Sequence, residues 1–371
     1  MTGVVSIETR TYRHPFDPPF RAAWDPVPRA AQEATLVIVT ADDGSRGFAS
    51  GGDGLPDRDL LERLLADVDP TDTDTVQRVC ETVDFHGGRP WAVEIACWDL
   101  AGRAAGTPVW QLAGGRQARL AAYASTGELA EPQERAQRAV ALRDAGLRAL
   151  KIRFHHADWR DDVRVVEAVR RAVGDEMEIM VDANQGWRMP GDISPRWDVD
   201  TARRCAAALE PLRIHWLEEP LHTADVEGYA ALAADTSIPI AAGEMVRQEH
   251  EARDLLERGG VAVIQCDVLF CGGIAGCRRI AALAERLGRV WSPHTWSNGY
   301  GLVANLQAAC GFSNGRFVEV PYDPPAWSAK RRDWMLPEVL PIAPDGTVAP
   351  PAGPGLGVEP DLEALERWRI A

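Results

Sequence analysis

Lysine is almost missing from this chain: of 40 basic residues only Lys151 and Lys330 are lysines, and the rest are arginines. Arginine is the default cation, so a lysine in a functional-looking position is not incidental. Also missing is any run of about 18 apolar residues, which leaves no candidate membrane span. The opening stretch, MTGVVSIETRTYRHPFD, lacks the basic-then-apolar layout of a secretory signal, and a cytoplasmic location is expected. Positive charge is in short supply. The formal net charge of −15 argues against a general nucleic-acid binder, which needs a basic face. It does not exclude anionic substrates, because a metal ion can reverse the local potential of a site. The seven cysteines are an odd number, scattered along the chain, and read as buried thiols in a reducing compartment. Cys266, Cys271 and Cys277 lack the paired spacing of a zinc site.

What is present fits a soluble globular protein, with 46% apolar and 26% charged residues. Its 371 residues exceed one ordinary compact domain unless much of the chain is an α/β barrel. SIETRTYR and ATLVIVTA read as strands, and ADDGS as a hairpin-type turn. LPDRDLLERLLADV and PWAVEIACWDLAGRAAG read as helices. This order suggests a small α+β domain over residues 1–117. From residue 118 to 325, short apolar runs alternate with amphipathic stretches every ~25 residues, the rhythm of βα units. LAAYAS, RALKIRF, EIMVDAN, RIHWLEE, IPIAAGE, AVIQCDV, RVWSPH and RFVEV are the candidate strands. Eight of them imply a closed parallel barrel. Residues 326–371 are rich in proline and glycine and are expected to pack back on the first domain. One loop, QGWRMPGDISPRW, is unusually long. Such a loop is either an insertion at the mouth of the barrel or plain solvent-facing chain.

The strand ends carry the chemistry. Lys151 and Arg153 end the second strand, Asp182 the third, Glu218 the fourth and Glu244 the fifth. Asp267, His294 and Glu319 end the sixth, seventh and eighth. Barrel active sites lie at these ends, where residues distant in sequence converge. Any one acid could instead cap the next helix. Asp182, Glu218 and Glu244 together cannot share a water-poor pocket without a cation, because like charges force protonation. Magnesium suits two or three carboxylates, with its other positions left for water and substrate oxygens. Glu219 should turn away from Glu218 by strand alternation. His294 is the candidate general base, and Asp267 can fix its tautomer. Lys151 and Arg153 share the inward face of one strand. Both could simply neutralise carboxylates, but lysine's scarcity favours Lys151 as a contact for a substrate carboxylate or metal-bound oxygen. Arg153 is a poor base because it stays protonated. His155 lies two residues further on.

These stretches resemble the enolase superfamily, and within it the mandelate racemase branch. The likeness rests on VTADDGSRGFASGGD, AVEIACWDLAGRAAGTPVWQLAGG, LKIRF, VDANQGW, WLEEP, AAGE, QCDVLFCGGI, SPHTW and FVEV, in that order. It implies an α+β capping domain on a modified TIM barrel, (β/α)7β, often assembled as a homo-oligomer. It implies one Mg2+ per subunit held by residues matching Asp182, Glu218 and Glu244. It also implies a base dyad matching Asp267 and His294, and a substrate-carboxylate contact matching Glu319. Two departures stand out. Arg153 replaces the second lysine of a Lys-x-Lys pattern, which weakens a racemase reading. GFASGGD replaces a Gly-x-Gly-Glu pattern in a substrate-selecting region. The expected reaction on a small carboxylate substrate is α-proton removal by His294 and loss of a β-hydroxyl, giving a 2-keto-3-deoxy acid. Racemisation or epimerisation is the alternative, and a barrel that only binds is a third. The stretches Phe16–Trp24 and Ser50–Gly54 are expected to close the pocket, with Arg21 and Trp24 as substrate contacts.

Overall fold

The computed structural model describes residues 3–51 and 57–371. An antiparallel meander comes first, made of β1 (Val4–Phe20), β2 (Arg29–Ala41) and β3 (Arg46–Ser50). Gly44 supplies the positive φ of 81° that the tight turn between β2 and β3 needs. Three helices follow: α1 (Arg58–Leu65), α2 (Thr73–His86) and α3 (Trp91–Ala104). The sequence reading contains only α1 and α3. The signal for α2 is present all the same, in Asp72, which caps Thr75 N–H at 3.1 Å, and in the buried face of Val76, Cys80 and Val83.

Helix α3 is buried on every side because it is clamped between the meander and the barrel. Its Asp99 accepts from Phe48 N–H at 2.9 Å and Leu356 N–H at 2.6 Å. Its Glu94 accepts from Ile274 N–H at 3.0 Å and Ala275 N–H at 3.1 Å, at the start of helix Gly273–Arg286. Gly47 allows the close approach, since a Cβ there would lie 2.0 Å from the Ala96 carbonyl oxygen.

Eight parallel strands form the barrel: β4 (Leu120–Ser125), β5 (Ala149–Arg153), β6 (Glu178–Asp182), β7 (Leu217–Glu218), β8 (Ile240–Ala242), β9 (Val263–Ile264), β10 (Val290–Trp291) and β11 (Phe317–Pro321). A helix follows each of the first seven, which gives the modified (β/α)7β order. The backbone ladder runs from β10 through β9 to β4 and on to β11. Across the seam the ends are tied by side chains: Ser292 Oγ donates to Phe317 O at 3.2 Å and Thr295 Oγ1 to Glu319 O at 3.0 Å. A short strand, β12 (Thr347–Val348), pairs antiparallel with β4. The chain end returns to the meander, where Thr11 N–H donates to Ala371 O at 2.9 Å. All seven cysteines are buried free thiols. No helix among the described residues is long and apolar enough to cross a membrane.

The bore of the barrel explains where the site lies. Tyr123, Ala149, Met180, Trp216, Ala241, Val263 and Phe317 fill it as one apolar layer. Side chains alternate along a strand, so the inward position recurs two residues later. Two residues on from that layer stand Ser125, Lys151, Asp182, Glu218, Gln265 and Glu319, all buried. A greasy plug therefore carries a polar floor.

Candidate active site

On that floor, oxygen atoms of Asp182, Glu218 and Glu244 all lie within 4.8 Å of one another. Lys151 Nζ stands 2.5 Å from Glu218 Oε1, 2.8 Å from Glu319 Oε1 and 3.6 Å from Asp182 Oδ2. The Arg153 guanidinium pairs with Asp182 and reaches Glu319 Oε1 at 3.7 Å. Two permanent cations thus face six buried carboxyls, counting Glu219 and Asp267. The imbalance is visible in the proton affinities. Burial and then Asp182 push Glu218 up to about 7, in spite of Lys151. Burial would raise Glu319 too, but Lys151, His294 and Arg153 outweigh it and hold it down at about 2. Burial and Arg153 pull Lys151 down, but Glu218, Glu319 and Asp182 outweigh them, so its ammonium is held above its ordinary value. Glu244 Oε2 is buried with no hydrogen-bond partner among the described residues. Three converging, under-neutralised carboxylates with an orphaned oxygen fit a hard divalent cation.

Glu219 departs from the alternation argument. It adopts φ 44°, so the strand's regular turn-about has already ended at Glu218. Its carboxyl is fully buried under Gly186, where a Cβ would lie 2.2 Å from its Oε1. Burial first, then Glu244, Asp182 and Glu218, raise its pKa well above the carboxylate range. It therefore sits beside the triad, not on a remote face.

His294 Nδ1 lies 3.1 Å from Asp267 Oδ2, and its Nε2 lies 3.8 Å from Glu244 Oε2. Asp267 is itself held, because its Oδ1 accepts from Leu269 N–H at 2.8 Å and Asn305 Nδ2 at 2.7 Å. Burial lowers the His294 pKa, but Glu244, the hydrogen bond to Asp267 and Glu319 outweigh it and bring it to about 9. Glu319 is also fixed by Thr295 N–H at 2.7 Å on Oε2 and by Ser125 Oγ at 2.6 Å on Oε1, the oxygen that Lys151 contacts.

Above the floor opens a cavity of about 230 Å³. Arg153, Glu244 and His294 reach it from the barrel, and Trp24, Trp187, Trp296, Trp327 and Phe270 wall it. Trp24, expected as a substrate contact, lines this cavity. Arg21 is exposed and does not line the cavity; Arg29, which the sequence reading passed over, does. Ser50 accepts from Asn298 Nδ2 at 3.0 Å, and the rest of the Ser50–Gly54 stretch beyond Gly51 lies outside the described residues. The long loop is a mouth insertion, since Trp187 and Met189 line the cavity and Trp187 Nε1 donates to Glu244 Oε1 at 2.5 Å. His155 is turned elsewhere, toward Asp192 in a separate cavity of about 360 Å³. Gln265 and Asn305 are among the other residues that the sequence does not single out. Alternation from Val263 would have found Gln265, whereas Asn305 comes from the middle of a distant helix and left no local sign.

Residues 134–365 match the family model described as Enolase C-terminal domain-like. A D-galactarolactone cycloisomerase of Agrobacterium fabrum is 28% identical, over 99% of each chain. An L-talarate/galactarate dehydratase of Salmonella typhimurium is 32% identical over 71% of this chain and 68% of its own. Among solved structures, a racemase from Streptomyces coelicolor A3(2) with bound magnesium superposes with a TM-score of 0.83 at 26% identity, covering 99% of this chain and all of that one. The chain belongs to the enolase superfamily.

Proposed function

We propose that this protein removes the proton α to a carboxylate with Mg2+ bound by Asp182, Glu218 and Glu244, and then expels a β-hydroxyl, converting a hydroxylated sugar acid to its 2-keto-3-deoxy acid. The observation that carries this reading is the juxtaposition of three converging carboxylates with a histidine held by an aspartate at the edge of the same cavity. When bound, the ion supplies electrostatic stabilisation of the negative charge that develops on the substrate carboxylate. His294 Nε2, on the cavity side of the Asp267 bond, takes the α-proton. Asp267 keeps the other ring nitrogen protonated and the ring oriented. Lys151 and Glu319 hold the carboxylate end, and His294, once protonated, delivers its proton to the departing hydroxyl.

The rest of the arrangement favours elimination over inversion. Racemisation needs a proton donor and acceptor on both faces of the carbanion, and the group facing His294 from β5 is Arg153, which does not release its proton. The names of relatives agree in kind: besides the Salmonella enzyme, a D-galactonate dehydratase of Variovorax paradoxus is 32% identical over 74% of this chain. The full-length likeness to a cycloisomerase favours one second reading, in which a ring oxygen leaves in place of water. We also take residues 1–117 as the cap, 118–325 as the catalytic barrel and 326–371 as a segment that closes back on the cap. Incubation of a library of aldonates, aldarates and their lactones with enzyme and Mg2+ in deuterated water tests the proposal. Loss of water with one deuterium at C3, the former β-carbon, is expected for dehydration, a ring-opened keto acid that has lost no water and carries deuterium at C3 for cycloisomerisation, and inverted substrate deuterated at C2 for racemisation. Absence of any Mg2+-dependent turnover or exchange across the library would refute it.

A further inference from the structure

One side of the active-site cavity rests on a loop that contains no catalytic group. After β4 the chain passes through Thr126, Gly127 and Glu128 on its way to the helix Pro132–Asp144. Thr126 is tied to the neighbouring strand, since its Oγ1 donates to Lys151 O at 2.7 Å. Its own carbonyl accepts from Arg153 Nε at 3.2 Å. Gly127 O accepts from Ala23 N–H at 2.7 Å, beside Trp24. Two rings lie directly on Gly127: a Cβ there would stand 2.5 Å from Phe20 Cζ and 2.7 Å from Trp296 Cη2. Trp296 in turn meets Trp24 at 4.8 Å and Trp327 at 5.1 Å between ring centroids. This short loop therefore sets the Arg153 guanidinium and the tryptophan wall together.

A single carboxylate holds the loop. Asp323, just beyond β11, is buried, and its Oδ2 accepts from Gly127 N–H at 3.0 Å and Glu128 N–H at 3.1 Å. Its backbone pairs in both directions with Trp327, at 3.0 Å and 2.9 Å, and so seats that indole in the same wall. Behind it stands Arg135, also buried, with Nη1 2.7 Å from Oδ1 and Nη2 3.2 Å from Oδ2. The same Nη2 donates to Glu128 O at 2.8 Å, and Arg138 Nη1 reaches Oδ1 at 3.4 Å. Neither Asp323 nor Arg135 lines the cavity. A buried ion pair gains little net stability over apolar side chains of similar size, whereas two-point pairing fixes direction. What this pair supplies is a set position for the loop.

We propose that Asp323 is a positioning residue for the reaction: through the amides of Gly127 and Glu128 it aligns Arg153 and the tryptophan wall on the substrate, with Arg135 as its anchor. The kinetic half of the test rests on the sugar-acid reading above; the spectroscopic half does not. Asp323→Glu keeps the charge and displaces the carboxylate by one methylene, about 1.5 Å. Gly127→Ala spares the ion pair and pushes Phe20 and Trp296 directly, at a residue whose backbone is not left-handed. Circular dichroism without substrate reads the exciton couplet of the packed indoles, assigned by its loss in Trp296→Phe. Steady-state kinetics with Mg2+ follow on galactonate, galactarate and any other acid of the library above that the native protein converts. Both variants should alter the couplet and raise KM about tenfold or more, with kcat within about threefold of native. The groups they move hold ground state and transition state alike, and neither variant contacts His294, Asp267 or the acid triad. A mere loss of stability moves neither readout in the folded protein. A native couplet or a native KM in Asp323→Glu, or in Gly127→Ala should Asp323→Glu fail to fold, overturns the assignment. An altered couplet, with no acid of the library converted by the native protein, leaves the assignment standing and overturns the sugar-acid reading.

Discussion

Glu94 joins the cap to the loop that delivers Asp267, and its removal should be felt in both places. The carboxylate is wholly buried and accepts three hydrogen bonds, from Ile274 N–H at 3.0 Å, Ala275 N–H at 3.1 Å and Trp98 Nε1 at 2.7 Å. Two of these donors open helix Gly273–Arg286, whose Gly272 cap has no side chain to offer. Glu94→Ala leaves three buried donors without an acceptor, at about 1–3 kcal/mol each, so a destabilisation of roughly 3–9 kcal/mol is expected. Native stabilities are commonly about 5–15 kcal/mol, so this is a severe lesion. Glu94→Gln keeps the shape and removes the titration, and the mismatch of its NH2 with a backbone or indole donor is a cost that does not change with pH. Burial, against the three hydrogen bonds, raises the Glu94 pKa from 4.5 to about 7. Between those values the folded protein keeps a proton that the unfolded chain has lost, so stability falls as pH rises through the window. The gap amounts to about 3 kcal/mol, complete once pH exceeds the folded value. Glutamine does not titrate. Urea unfolding of the native protein and Glu94→Gln at several pH values from 5 to 8 should therefore show the variant gaining on the native protein by about 3 kcal/mol as pH rises. A difference between the two that stays flat across this range would refute the reasoning.

His294→Asn should lower kcat/KM by about 10²–10⁴-fold, the usual contribution of a positioned base, while magnesium affinity by calorimetry stays near native. Trp187→Phe removes the donor to Glu244 Oε1 but keeps the aromatic wall, so magnesium affinity should fall by about 10–100-fold; an unchanged affinity would mean that the loop does not orient that carboxylate.

How much of this was legible in the sequence depends on the range of the force involved. Strand alternation is local, so the polar residues that end strands could be read directly: Met180 packs in the bore and Asp182 follows it, Trp216 packs and Glu218 follows. The same rule misplaced Glu219, because alternation presumes extended backbone and that residue has turned to φ 44°. Arg21 and Arg29 look alike as letters near the same loop. Only the fold decides that one faces solvent and the other the cavity, because the strand that starts at Arg29 pairs back on Phe20.

The acidic cluster and the His294–Asp267 pair differ from the rest in one physical respect: they are over-determined. Lys151 touches three carboxylates that come from three different strands, and Asp267 is held by a backbone amide and by Asn305 from a distant helix. A charged group in the middle of a barrel survives only if several partners satisfy it, so its residue types are constrained and its pattern can be recognised. The distal end of the cavity carries no such burden. Trp24, Trp296 and Trp327 pack mainly on one another, and Arg29 is partly open to solvent, so fewer buried partners constrain the residue types there. The buried charged cluster at the strand ends was readable and the far wall of the cavity was not, because buried charge restricts residue types far more than a partly exposed wall does.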